Sequence, residues 1–101
     1  MKYPKLVRDR VPEVIAQSGK KAQVRFVKGQ ELLDQLKDKL KEEVDEFLSD
    51  EAIEELADIL EVVYALSHYL GVDQRQLDEF RKLKAQERGT FKDGVILEKV
   101  L

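Results

Sequence analysis

The chain has 101 residues, of which 39% are charged and 43% hydrophobic, with a formal net charge of −3, one histidine and neither cysteine nor tryptophan. That length suits a single domain, residues 1–101, close to the size at which one chain struggles to bury enough surface, so a homo-oligomer is expected. Absence of cysteine excludes a disulfide framework, thiolate catalysis and Cys-based zinc sites, and a lone His68 leaves no His-rich metal cluster and little room for a Ser-His-Asp triad.

In chain order, Lys5-Leu6-Val7-Arg8-Asp9-Arg10 leads into Val11-Pro12-Glu13-Val14-Ile15-Ala16, where Pro12 suits the first turn of a short helix that stops at Gly19. Ala22 to Val27 alternates and is partly β-branched, which predicts a short strand. From Gln30 to Leu48 the apolar residues Leu33, Leu36, Leu40, Val44 and Phe47 recur at steps of three and four, the mark of an amphipathic helix. Ser49-Asp50 interrupts it, and either residue can cap a third helix from about Glu51 to Leu70, closed by Gly71. This helix carries one stripe of Ile53, Leu56, Leu60, Val63, Ser67 and Leu70. A second stripe, Glu51, Glu55, Asp58, Val62, Ala65 and Tyr69, is acidic and then apolar. Its second half is apolar nearly all round and reads as a buried central helix. Its second stripe, at Val62, Ala65 and Tyr69, is what one small chain has least means to cover.

Asp73 with Gln76 reads as a capping box for a fourth helix that runs to Arg88, carries Leu77, Phe80 and Leu83, and ends at Gly89. Phe91-Lys92-Asp93-Gly94 predicts a turn and Val95 to Val100 a terminal strand. The predicted fold is mainly α: a four-helix bundle with a minor pair of short β-strands.

Charge is segregated. Residues 1–41 hold 11 Lys/Arg against 5 Asp/Glu, residues 42–74 hold 11 acids and no Lys or Arg, and residues 75–101 hold 7 bases and 5 acids. The compensating charge for the acidic centre must come from the flanks or from a bound cation. Since the long apolar-periodic helices are the acidic ones, a nucleic-acid-reading helix is not expected. No apolar run approaches a membrane span of ~18 residues. Met1-Lys2-Tyr3-Pro4 does not resemble a leader, so the expected location is the cytoplasm.

Glu42, Glu43 and Glu46 lie within two turns of the second helix, and at ~100° per residue Glu43 borders the apolar stripe, with Glu46 further out and Glu42 beyond it. Glu55 and Asp58 share a face of the third helix. A short link folding these helices antiparallel would bring the two sets together across their groove. Such carboxylates suit a hard divalent cation such as Mg²⁺, held by a few acids and substrate phosphates. The plainer reading is a solvated acidic face, which serves Glu51 and Glu54 in a first helical turn well and Glu43 and Asp58, beside apolar positions, poorly.

Glu42-Glu43-Val44-Asp45-Glu46 matches an E-E-x-x-E motif, and Glu55-Leu56-Ala57-Asp58 matches the E-x-x-D that follows it. In this order, the motifs resemble the all-α nucleoside triphosphate pyrophosphohydrolase superfamily, which includes MazG-like proteins, phosphoribosyl-ATP pyrophosphohydrolase and dimeric dUTPases. Lys5 to Glu13 and Arg88-Gly89-Thr90-Phe91 are similar to the compact phosphoribosyl-ATP pyrophosphohydrolase-like branch. The stretch between the motifs, Phe47 to Glu54, is short for the superfamily. The resemblance implies Mg²⁺-dependent hydrolysis of a nucleotide substrate to monophosphate and pyrophosphate, often as house-cleaning of non-standard nucleotides. It further implies Glu43, Glu46, Glu55 and Asp58 as metal ligands, with Glu42 either a ligand or the residue that orients the water, so that Glu42 and Glu43 are the catalytic candidates. Lys84 and Arg88 stand where MazG-type members carry a Lys and Arg pair, and Arg8 and Lys5 are further candidates for phosphate contacts. Surface bases on an exposed helix are the plain alternative for Lys84 and Arg88.

Asp9 is read as a tie for Arg8 or Arg10, His68 as a packed or interface residue, and Tyr64 and Tyr69 as core or interface. The rival function is a non-catalytic helical module whose acidic face docks on a basic protein surface. A di-iron bundle would need a Glu-x-x-His pair, and Ala65 stands three residues before His68.

Overall fold

A computed structural model describes residues 4–101 as four helices in the order α1 (Val11–Gln17), α2 (Gly29–Asp50), α3 (Ile53–Tyr69) and α4 (Gln74–Arg88). Met1-Lys2-Tyr3, on which the expectation about a leader rests, lies outside the described residues. None of the helices is long and apolar enough to cross a membrane.

The boundaries follow local chemistry. Pro12 occupies the first turn of α1, and Gly19 follows its end with φ +85°. At the start of α4, Asp73 accepts a hydrogen bond from the Gln76 backbone N–H at 2.8 Å while the Gln76 side chain accepts one from the Asp73 N–H at 3.0 Å, completing the capping box. The turn at Phe91–Gly94 also forms, with the Gly94 N–H donating to the Phe91 carbonyl at 3.4 Å.

Ser49 and Asp50 do not cap α3. They belong to the last turn of α2, and the break falls one residue later, at Glu51, which adopts the left-handed conformation (φ +51°, ψ +30°). It is the one non-glycine residue with positive φ among the described residues. Extended Ala52 then precedes α3, whose first turn has no side-chain cap. This two-residue link reverses the chain, and residues earlier in α2 share a groove with residues later in α3: Glu43 with Asp58, Leu36 with Val62, and Leu32 with Tyr69. The two helices are therefore antiparallel neighbours.

The α2–α3 hairpin is the packed unit; α4 touches α3, and α1 packs against none of the other helices. No closed four-helix bundle forms within one chain. The molecule measures 61 × 32 × 22 Å with a radius of gyration of 17.5 Å, well above the ~13 Å of a compact chain of this length. Leu36 and Val62 are the buried hydrophobic residues among those described, so α3 is not the enclosed central helix that its sequence predicts. The two stripes of α3 do not take the roles expected of them, although Ser67 of the first stripe is buried and its Val63 half-buried. Val62, Ala65 and Tyr69 face α2 and the groove, whereas Ile53, Leu56, Leu60 and Leu70 stand exposed. With α2 packed along it and α4 touching it more lightly, α3 covers chiefly one face, and the face that carries Glu55 and Asp58 turns inward with Val62.

The strand pair does not form. Residues 21–28 and 95–101 have no regular secondary structure and make no backbone–backbone hydrogen bond among the described residues. Alternating β-branched sequence favours extension, but a strand exists only through a partner.

Candidate metal centre and groove

The groove between α2, α3 and the N-terminal segment has a volume of about 650 Å³. Leu6, Leu32, Leu36, Ala65 and Tyr69 line it with apolar surface, and Arg8, Lys39, Glu43, Asp58 and Glu61 bring charge to it. It is charged toward the α2–α3 link and apolar toward the other end of the hairpin, because the link sits beside the acidic parts of both helices.

Glu43 is central to the charged end. It is only 6% exposed, although it lies on the helix with the more polar sequence. Ligand-capable oxygens of Glu42, Glu43 and Glu46 lie within 4.8 Å of one another, and so do those of Glu43, Glu55 and Asp58. Glu43 thus joins one triad along α2 to another across the hairpin. The order of burial along α2 differs from the angular expectation in one respect: Glu42 is half-buried and Glu46 exposed. Glu42 is drawn in by Lys5 and Lys39, each 3.6 Å away.

These acids are under-compensated. Buried Oε2 atoms of Glu43 and Glu55 have no hydrogen-bond partner, whereas buried polar atoms are normally paired. Burial pushes the Glu43 carboxyl above its ordinary range; Lys39 pulls it down, and Glu46 raises it further. Burial works against the Lys39 charge, but its hydrogen bond to Glu43 and the attraction of Glu42 and Glu43 outweigh this and leave its pKa raised. With ligand-capable oxygens of Glu43, Glu55 and Asp58 within 4.8 Å of one another, the cluster fits a hard cation with oxygen preference, which would offset its charge.

Bases enter the site from outside the acidic block. Arg8 donates to Asp58 Oδ1 at 2.6 Å and lies 3.9 Å from Glu61; Lys39 reaches Glu43 at 3.1 Å. Sequence reasoning passed over Lys39 and Glu61. Lys39 was detectable, since it stands four residues before Glu43 and three before Glu42, where side chains of one helix face meet. Glu61 had a weaker signal, three residues after Asp58 on the same face.

Of the four bases considered for phosphate, Lys5 and Arg8 reach the carboxylates. Lys84 and Arg88 are exposed on α4, outside the groove lining and without an ion pair to the site. Asp9 lines the groove and ties neither arginine; Arg10 pairs instead with Glu13 at 3.0 Å. His68 is exposed at the groove rather than packed, and Tyr69 is half-buried in it. No family model, curated protein or solved structure matches the chain.

Proposed function

We propose that the chain is a Mg²⁺-dependent nucleoside triphosphate pyrophosphohydrolase of the MazG-like kind, acting on a phosphoanhydride to give monophosphate and pyrophosphate. The observation that carries this reading is Glu43, a buried carboxylate with an unpartnered oxygen at the junction of two carboxylate triads. When bound, Mg²⁺ supplies charge compensation for the polyphosphate and a water of lowered pKa. Glu43, Glu46, Glu55 and Asp58 hold the ion in this reading. Glu42 would either join them or orient an attacking water, whose proton would pass to a carboxylate as its oxygen attacked phosphorus and the anhydride bond to the leaving pyrophosphate broke.

The remaining groove suits a nucleotide. Arg8, Lys5 and Lys39, which pair with the acids in the ion-free chain, are the bases nearest a bound phosphate. Apolar surface from Leu6, Leu32, Leu36, Ala65 and Tyr69 offers a place for the nucleoside. House-cleaning of non-standard nucleotides in the cytoplasm is the role we assign. The exposed stripe at Ile53, Leu56 and Leu60 supports a homo-oligomer, dimer or tetramer.

The test is pyrophosphate release from a panel of standard and modified triphosphates, with and without Mg²⁺. Turnover that is lost with EDTA and in Asp58→Asn, at native circular dichroism, supports the enzyme. A folded protein with no turnover and no Mg²⁺-binding heat would overturn it. The exposure of Glu46 and Glu61 favours one rival, a non-catalytic helical module whose acidic face docks on a basic protein surface. That module predicts a protein partner whose affinity falls with salt and ignores EDTA.

A further inference from the structure

Residues 22–27 and 95–101 both lack regular secondary structure, are rich in apolar side chains and expose them. Phe26 is 95% exposed, Ile96 82% and Leu97 76%. Neither segment contains glycine or proline, and neither finds a backbone partner in its own chain among the described residues. Exposed segments of this β-branched, apolar composition can pair as strands with another chain.

We infer that two copies of the chain exchange these segments, the residues 95–101 of one pairing antiparallel with residues 22–27 of the other, and the reverse. Charge and side-chain alternation select the register. Segment 20–28 carries Lys20, Lys21, Arg25 and Lys28 and no acid, and Glu98 is the one acid of residues 95–101. Placing Arg25 opposite Glu98 sets Phe26 against Leu97 and Val27 against Ile96, with Ala22 opposite Leu101. Two adjacent apolar cross-strand pairs then lie on one side of the ion pair, and Val24 stands opposite Lys99 on the other. A parallel alignment through the same ion pair also makes two apolar pairs but sets the aromatic ring of Phe26 against Lys99, where the antiparallel one sets the smaller Val24. Cross-strand aromatic–aliphatic and opposite-charge pairs are the units that stabilise a ladder, and each acts twice in a two-fold dimer. In the single chain, Arg25 rests on Glu31 at 2.8 Å, an exposed pair that exchange can replace at little cost. The inference is independent of the catalytic reading, since none of these residues belongs to the groove.

The chain's lack of cysteine makes the test direct. Equal amounts of the Phe26→Cys and Leu97→Cys chains are mixed and oxidised, with Val24→Cys and Leu97→Cys as the comparison. A disulfide-linked heterodimer from the first mixture, several-fold above the second, is expected. Light scattering on the unmodified chain should give twice 11.7 kDa. Arg25→Glu, which places like charges opposite each other on exposed positions, should weaken association about fivefold, and Arg25→Glu/Glu98→Arg should restore it. A monomeric mass at all concentrations overturns the inference. So does equal cross-linking in the two mixtures, or a dimer indifferent to Arg25→Glu.

Discussion

Lys39 Nζ lies 3.1 Å from Oε1 of Glu43, while Oε2 of the same carboxylate is buried without a partner. The pair is one helical turn apart on α2, so the lysine approaches one edge of the carboxylate and leaves the other without a partner, and Oε2 of Glu55 on α3 is likewise unpartnered. Half-satisfied buried carboxylates are costly. The hairpin has been built with this cost at the groove, and a cation bound between the two helices is what would remove it.

Replacing Glu43 by glutamine therefore separates stability from function. Without metal at pH 7.5, Glu43→Gln should unfold at a higher temperature than the parent chain, by roughly 1 kcal/mol or about 5 °C, while pyrophosphate release is lost. The sign with pH follows from the raised Glu43 pKa. A folded-state pKa above the unfolded one contributes stability below the ordinary glutamate range, and this is lost as pH rises through the folded value. The advantage of Glu43→Gln should accordingly grow from pH 4 to pH 7.5 in thermal melts. An advantage that shrinks over that interval would contradict the burial argument.

Metal should act in the opposite sense. Mg²⁺ at a hundredfold its dissociation constant is expected to stabilise the folded chain by about 2.7 kcal/mol. The effect should fade toward pH 5 as protons compete for the carboxylates, and should be absent in Glu43→Gln and Asp58→Asn. Differential scanning fluorimetry with and without EDTA reads it. The same shift with Lys84→Ala is expected to be unchanged.

The helices were legible because their signals are local: the 3.6 periodicity of α2 and α3, Pro12, and the Asp73/Gln76 box. The carboxylate convergence was also legible, since it needs only an antiparallel hairpin, and Glu43 was placed correctly beside the apolar stripe. Errors came where a tertiary choice overrides the local signal. Ser49 and Asp50 are good caps, yet α2 continues through them and the reversal is made by Glu51 in a conformation that few glutamates adopt. Which stripe of α3 turns inward was not decided by hydrophobicity, for Leu56 and Leu60 outweigh Val62 and Ala65 on any scale, but by α2, which can cover only one face. Residues 22–27 and 95–101 were recognised for their β pattern, but a sequence does not say whether a strand's partner lies in the same chain.

Ser67 is a second buried polar residue, 6% exposed on α3, and it has a complete account. Its hydroxyl donates to the Val72 carbonyl at 2.6 Å, and the Val72 N–H donates back to the Ser67 carbonyl at 3.0 Å around Gly71 at φ +84°. This loop fixes the direction from which α4 departs. Ser67→Ala leaves the Val72 carbonyl unpaired and should cost about 1–2 kcal/mol in chemical denaturation, with catalytic constants nearly unchanged.

The two sets of bases make different predictions about phosphate. Arg8 approaches the acids through an exposed pair with Asp58, so Arg8→Ala should change stability by less than ~1 kcal/mol. Were Asp58 engaged by a metal ion, the guanidinium would be free to meet the polyphosphate in two-point geometry, which a lysine would not reproduce. Arg8→Ala should then raise KM for the nucleotide about tenfold or more, with Arg8→Lys recovering part of the loss. Lys84 and Arg88, remote from the groove in this chain, should tolerate alanine with less than a twofold change in KM. Should Lys84→Ala or Arg88→Ala instead raise KM as Arg8→Ala does, α4 of one copy must reach the groove of another, and the site would be shared between subunits.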